Sequence, residues 1–354
     1  MQSAQLKTLL LVCLVAGCSP TLGVHSLNHL RVDGPIHTAS TVRVEPPALG
    51  PADPVLPVPV TPGPLQPGPR IAVVDLDGLI LNTPFSGPYS AGENPVSAFR
   101  EKLDAIASDP LVRAVVLRIN SPGGSVTATD ILWHDLVAFR KRTGLPVVAC
   151  LLDVGAGGAY YIASGADVII AHPTSLVGGI GVILNVYNMQ DLMAQFNILG
   201  QPIKSGDLID MGNSSRKLPD DAKALLQQMA DEYHERFIEI VRSARPRVDI
   251  LEQSNFDGRV FTASSALQHH LIDRVGYLDD AIALAQEAAS TPFAQAVLYR
   301  RKSDTPLSVY ATTPNTPLQA TAWPINIPGL DRSRLPAFLY LWQPEASISR
   351  VSGQ

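Results

Sequence analysis

Short apolar runs rich in β-branched residues alternate with helical segments through the middle of this chain, and few architectures accept that order. The runs "IAVVDLDGLI" (71–80), "VRAVVLRIN" (112–120), "LPVVACLLDV" (145–154), "DVIIAHP" (167–173) and "GGIGVILNVY" (178–187) read as strands. Residues 95–108 have helical spacing and stop before Pro110. Residues 128–143 form an amphipathic helix ended by Gly144, and 219–245 form a long charged helix with Pro219 at its first turn. Strands and helices in this alternation predict an α/β body with a largely parallel sheet. Ligands bind such sheets at the carboxyl ends of the strands, where "SPGGS" (121–125) and "GAGGAYY" (155–161) fall. Loops made of glycine let the backbone come close to something, because no Cβ stands in the way.

The ends of the chain are built differently. Residues 1–18, "MQSAQLKTLLLVCLVAGC", read as an export signal: one basic residue, a short apolar run and small residues before Cys18. The run is too short to span a bilayer as a helix. Val15-Ala16-Gly17-Cys18 resembles a bacterial lipobox, so Cys18 is the expected lipidation site, the alternative being a secretory signal with a chance cysteine. Residues 19–69 include "EPPALGPADPVLPVPVTPGPLQPGP" (45–69), too proline-dense for a helix or a central strand, and read as an extended tether. The body is expected over 70–290, and 291–354 as an irregular extension in which "FLYLWQPEA" (338–346) looks like an exposed aromatic cluster. Such a cluster either covers the body's own surface or docks on a neighbouring subunit. A formal net charge of −5 argues against a general nucleic-acid binder. No metal or cofactor motif is read. Cys150, in an apolar run, is expected to be an inert buried thiol.

Four blocks in order carry a family resemblance: "RINSPGGSV" (118–126), "GGAYYIASGADVIIAHPTSLVGGIGVI" (157–183), "KSGDLIDMG" (204–212) and "GRVFTASSALQHHLIDRVGYLDDAIALA" (258–285). Together they resemble the bacterial signal peptide peptidase A family, over about Ile71 to Ala289. The resemblance implies a ClpP/crotonase fold with a repeated strand-strand-helix body. It also implies a place in the cell envelope, cleavage of signal peptides and other unfolded segments, and assembly into oligomers. Family members hydrolyse peptides with a Ser–Lys dyad, in which a desolvated, neutral lysine takes the serine proton and backbone N–H groups hold the oxyanion.

Carried over residue by residue, the dyad is missing. The paired aromatics Tyr160 and Tyr161 put the family's nucleophile position at Gly157, the general-base position falls on Ile209, and the serine that orients the lysine corresponds to Gly179. Ser121-Pro122-Gly123-Gly124 is intact, and the resemblance makes Gly124 N–H the oxyanion-hole donor, with Gly123, Gly158, Tyr160 and Tyr161 as peptide-binding residues. A tight strand-to-helix turn would need the same glycines. With Gly157, Gly179 and Ile209 in place of polar groups, the expectation is a small dry groove that binds an extended peptide by β-addition. Its expected neighbours are peptide or unfolded segments, a membrane reached through Cys18, and copies of itself or an active paralogue. Two other readings stay open: a working peptidase with displaced residues, for which Ser164, Ser121, Lys204, His172 and Cys150 are the candidates, and an acyl-CoA enzyme of the crotonase type.

Overall fold

The computed structural model describes residues 54–60, 65, 67–83, 93–249, 252–301 and 338–342. The signal segment, Cys18 and most of the tether lie outside them. The strands are β1 (Val55–Pro59), β2 (Arg70–Ile80), β3 (Val112–Ser125), β4 (Val147–Ala156), β5 (Val168–Ala171), β6 (Leu176–Gly178), β7 (Val260–Thr262), β8 (Arg274–Val275), β9 (Gln295–Arg301) and β10 (Leu339–Leu341). The helices are α1 (Pro95–Ser108), α2 (Val126–Thr143), α3 (Gly158–Ala163), α4 (Gln190–Gln195), α5 (Asp220–Ala244), α6 (Ala263–Gln268) and α7 (Leu278–Ala288). The main sheet runs β1-β9-β2-β3-β4-β5-β8, with β6 beside β4 and β7 beside β6. Pairings β9/β2, β2/β3, β3/β4, β4/β5 and β5/β8 are parallel, as the alternation of strands and helices predicts.

A sheet buried on both faces needs apolar residues at successive strand positions, and β2, β3 and β4 supply them. One face carries Val74, Leu117 and Leu151 against Phe99 and Leu103 of α1, Leu132 and Phe139 of α2, and Phe237 of α5. The other carries Val73, Val116 and Cys150 against Leu278, Ala281 and Ala285 of α7. Local chemistry fixes the helix ends. Asn94 accepts the Val96 N–H at 2.9 Å before Pro95, Ser125 accepts the Ala128 N–H at 3.3 Å, and Gly144 closes α2 in the left-handed region.

Four local features differ from or sharpen the sequence reading. "SPGGS" is the end of β3 rather than a free loop. Of the strand expected over 178–187, only Gly178 is in a strand. Gly178 and Gly179 take φ of +101° and +62°, which ends β6, and Ile183 keeps a lone bridge to Leu339. The prolines of Val55–Pro59 are accommodated because β1 pairs on one side only, antiparallel to β9. Beyond residue 291 the chain supplies β9, inside the sheet, and β10, antiparallel to β3. The aromatic cluster read as exposed is seated: Tyr340 is completely buried.

Candidate peptide groove

The site forms where β3 and β4 part. Their parallel pairing runs from Val115 with Val147 to Ile119 with Leu151 and ends, after a register shift, at Ser121 with Gly155. Beyond that point β4 turns into α3 through Gly157, and β10 lies along the freed edge of β3. Leu339 is in register with Ser125, Tyr340 with Gly124 and Leu341 with Gly123. Val126 N–H donates to Phe338 O at 3.2 Å and Trp342 N–H to Pro122 O at 3.0 Å. Antiparallel ladders bond at every second residue, so Tyr340 and Gly124 stand in that same bonded phase. The opposite edge of β10 is held by Ile183, which exchanges both backbone bonds with Leu339 at 2.9 Å. The groove therefore grips an extended segment along both edges.

Gly157 sits at the turn into α3 with φ +56° and ψ −129°. A sharp strand-to-helix turn presents the nucleophile in α/β-hydrolases. Its N–H donates to Gly178 O at 2.9 Å, which ties the turn to β6, and its carbonyl accepts the Tyr161 N–H at 3.1 Å to open α3. A Cβ at Gly157 would lie 2.5 Å from Tyr340 O, 2.9 Å from Tyr340 C and 2.9 Å from Pro122 O. The missing side chain thus aims at the Tyr340 carbonyl, and its absence lets that carbonyl settle closer than any side chain at 157 would allow. Gly123, at φ +105°, is equally constrained, since a Cβ there would fall 1.9 Å from the same oxygen. A Cβ at Gly124 would strike Ile80 O at 1.9 Å, and one at Gly158 would meet Thr129 Oγ1 at 2.3 Å. These four glycines are demanded by packing as well as by any chemistry.

Among the other expected site residues, Gly179 comes alongside Gly157: a Cβ on it would lie 3.1 Å from Gly157 N and 3.3 Å from Trp342 Cβ. Ile209 stands apart on a loop and is 70% exposed, so in the single chain it does not line a dry groove. The two tyrosines divide their roles. Tyr160 points into the core and donates to Leu271 O at 2.7 Å. Tyr161 stacks on Tyr340 with ring centroids 5.3 Å apart, while its hydroxyl donates to Asp130 at 2.6 Å. Burial, then that bond, pushes the Tyr161 hydroxyl far above its usual pKa and keeps it neutral. Asp130 is held in turn by Arg236 at 2.7 Å.

The displaced-nucleophile candidates are otherwise engaged. Ser164 donates to Tyr161 O at 2.6 Å inside the core, and Ser121 accepts the Gly123 N–H at 3.1 Å. Lys204 pairs with Asp210 at 3.0 Å, and His172 Nδ1 lies 2.8 Å from Thr174 Oγ1. The Cys150 thiol is buried and pushed up to about 12 by desolvation. Groove residues that the motifs did not reveal are Ile183, Tyr233 and Phe237. Phe237 could have been found as one of the apolar positions along the amphipathic α5, and the groove's occupant as the alternating aromatic pattern of "FLYLW".

Residues 139–291 match the family model described as Peptidase family S49. The chain is 31% identical over 219 residues to "Protease 4" of Salmonella typhi, covering 62% of this chain and 34% of that protein. It is 27% identical over 237 residues to "Putative signal peptide peptidase SppA" of Enterococcus faecium, covering 67% and 68%. It thus spans about a third of the length of the first relative. A solved membrane-bound stomatin-specific protease, a mutant in complex with a substrate peptide, covers 62% of this chain and 81% of its own at 16% identity and a TM-score of 0.37.

Proposed function

Because this chain is a peptidase family S49 member of the signal peptide peptidase SppA type, we propose that it binds extended peptide segments, signal peptides or unfolded stretches, with proteolysis impaired or lost. The observation that carries this reading is Gly157. At the turn where the family resemblance expects a serine there is no side chain, and the backbone around it receives a strand. Glycine offers no nucleophile and isoleucine at 209 accepts no proton. Losing both leaves at most the oxyanion-binding backbone and substrate binding, a small residue of the full rate. Lipidation at Cys18 would hold the body at the envelope membrane through the proline-rich tether, among unfolded exported segments. Assembly with its own copies or an active paralogue belongs to the same proposal.

The test is digestion of an unfolded protein by the purified chain beside the triple variant Gly157→Ser, Gly179→Ser, Ile209→Lys. The unmodified chain is expected to bind without cutting. Steady hydrolysis by the unmodified chain, lost on substitution of another serine, threonine or cysteine, would establish a displaced active site instead.

A further inference from the structure

We propose that residues Phe338–Trp342 are a built-in occupant of the peptide groove, and that the groove, once this strand leaves, selects an extended peptide by an aromatic side chain at the place of Tyr340. The inference rests on the peptide-binding reading and names both what that site prefers and what restrains it.

The contacts of β10 are those of a bound peptide. Its backbone is held along both edges, by Pro122 and Val126 on one side and Ile183 on the other. Main-chain pairing of this kind supplies affinity, and alternate side chains supply selectivity. Tyr340 is the side chain read most deeply. Its ring stacks on Tyr161 and lies 4.8 Å from Phe237, and its hydroxyl donates to Tyr233 O at 2.7 Å. Aromatic pairing at these separations adds to the burial of the ring itself. Phe338 stands edge-on to Tyr233 at 5.1 Å, so Phe338 and Tyr340 meet the same stretch of α5, Tyr233 to Phe237. Leu339 and Leu341 point to the other face of the strand and are only partly buried.

The register is also that of a peptide offered for reaction. The direction of the absent side chain at 157 meets the carbonyl between Tyr340 and Leu341, and the same oxygen crowds Gly123. Glycine at 157 therefore does two things: it removes the nucleophile, and it lets the chain's own strand lie against the turn. Thirty-six residues, 302–337, join β9 to this strand. Because the strand belongs to the same chain, a free peptide of the same sequence competes with an intramolecular occupant.

The experiment uses the full chain and a fluorescently labelled peptide, Phe-Leu-Tyr-Leu-Trp-Gln, read by anisotropy. Two variants loosen the strand: Leu339→Pro, which removes the N–H donated to Ile183, and Tyr340→Ala. Both are expected to bind the labelled peptide about tenfold more tightly than the unmodified chain, from removal of the tethered competitor. A peptide with alanine for its tyrosine should bind the variants at least about tenfold more weakly than the original. Amide hydrogen exchange on the unmodified chain gives a readout independent of the variants' folding. Saturating peptide should accelerate exchange at Leu339 and Trp342, whose N–H groups bond Ile183 and Pro122. Equal affinity for all three chains, with exchange unchanged, overturns the occluding strand while leaving peptide binding intact. Indifference to the tyrosine overturns the pocket. Binding by none of the chains to this or any unfolded segment overturns the peptide-binding reading itself.

Discussion

Gly157 and Asp77 show how single positions set what the fold tolerates. At Gly157 even alanine would bring a Cβ to 2.5 Å from Tyr340 O on a backbone with positive φ. Gly157→Ala is therefore expected to displace β10 rather than sit under it, seen as faster amide exchange across 338–342. Unchanged protection there would mean that the strand does not rest on the turn. Asp77 lies at the carboxyl end of β2, with one buried carboxylate oxygen unpartnered among the described residues. Burial first, and Asp75 beside it second, raise its carboxyl to about 6. The folded state thus holds this proton more tightly than the unfolded chain, and this group's contribution to stability falls as pH rises from about 4 to about 6. Asp77→Asn should be more stable than the unmodified chain at pH 7, by up to roughly 3 kcal/mol, with the gap closing below about pH 4. Denaturant titrations at the two pH values measure it, and a gap that persists at low pH would contradict this assignment.

At the scale of elements, the strands and long helices were legible because their periods are strong. Residues 95–108 match α1 as read, and α2 and α5 differ from the reading by one or two residues at their ends. The misread segments share a cause, since each depends on a partner far away in sequence. The run 178–187 looks like a strand but finds only Leu339 opposite Ile183. "FLYLW" alternates as a strand should, yet only the freed edge of β3 shows that it is covered. The sharp turn at Gly157 was legible from the small residues of Gly157-Gly158-Ala159-Tyr160-Tyr161, whereas the occupant's pocket on α5 was not. Also invisible in sequence is a buried ion cluster joining three strands: Asp75 of β2 meets Arg118 of β3 at 2.7 Å and Arg300 of β9 at 3.3 Å. All three side chains are almost fully buried, so removing the carboxylate takes a close opposite charge away from two buried guanidinium groups. Asp75→Ala should cost about 3–5 kcal/mol of unfolding free energy. A loss below about 1 kcal/mol would mean that the arginines find other partners or water.

For the whole molecule, a mostly parallel sheet ends in a groove whose two walls are backbone, whose turn lacks a reactive side chain, and whose contents are the chain's own strand. The parts explain one another: the bare glycine at 157 makes room, β10 fills the room, and Tyr340 anchors the filling on Tyr161 and Phe237. The triple variant Gly157→Ser, Gly179→Ser, Ile209→Lys must then expel the strand and also bring the exposed loop that carries residue 209 to the turn, since in the single chain that loop does not line the groove. It is expected to cut slowly unless Tyr340→Ala is added, and the quadruple variant should be the faster of the two. The most direct test of the central claim is treatment of the unmodified chain, and of its Tyr340→Ala variant, with a serine-directed covalent probe followed by peptide mass mapping. The account predicts no stoichiometric label in either chain. A single labelled serine or threonine, lost together with peptide hydrolysis when that residue becomes alanine, would contradict it.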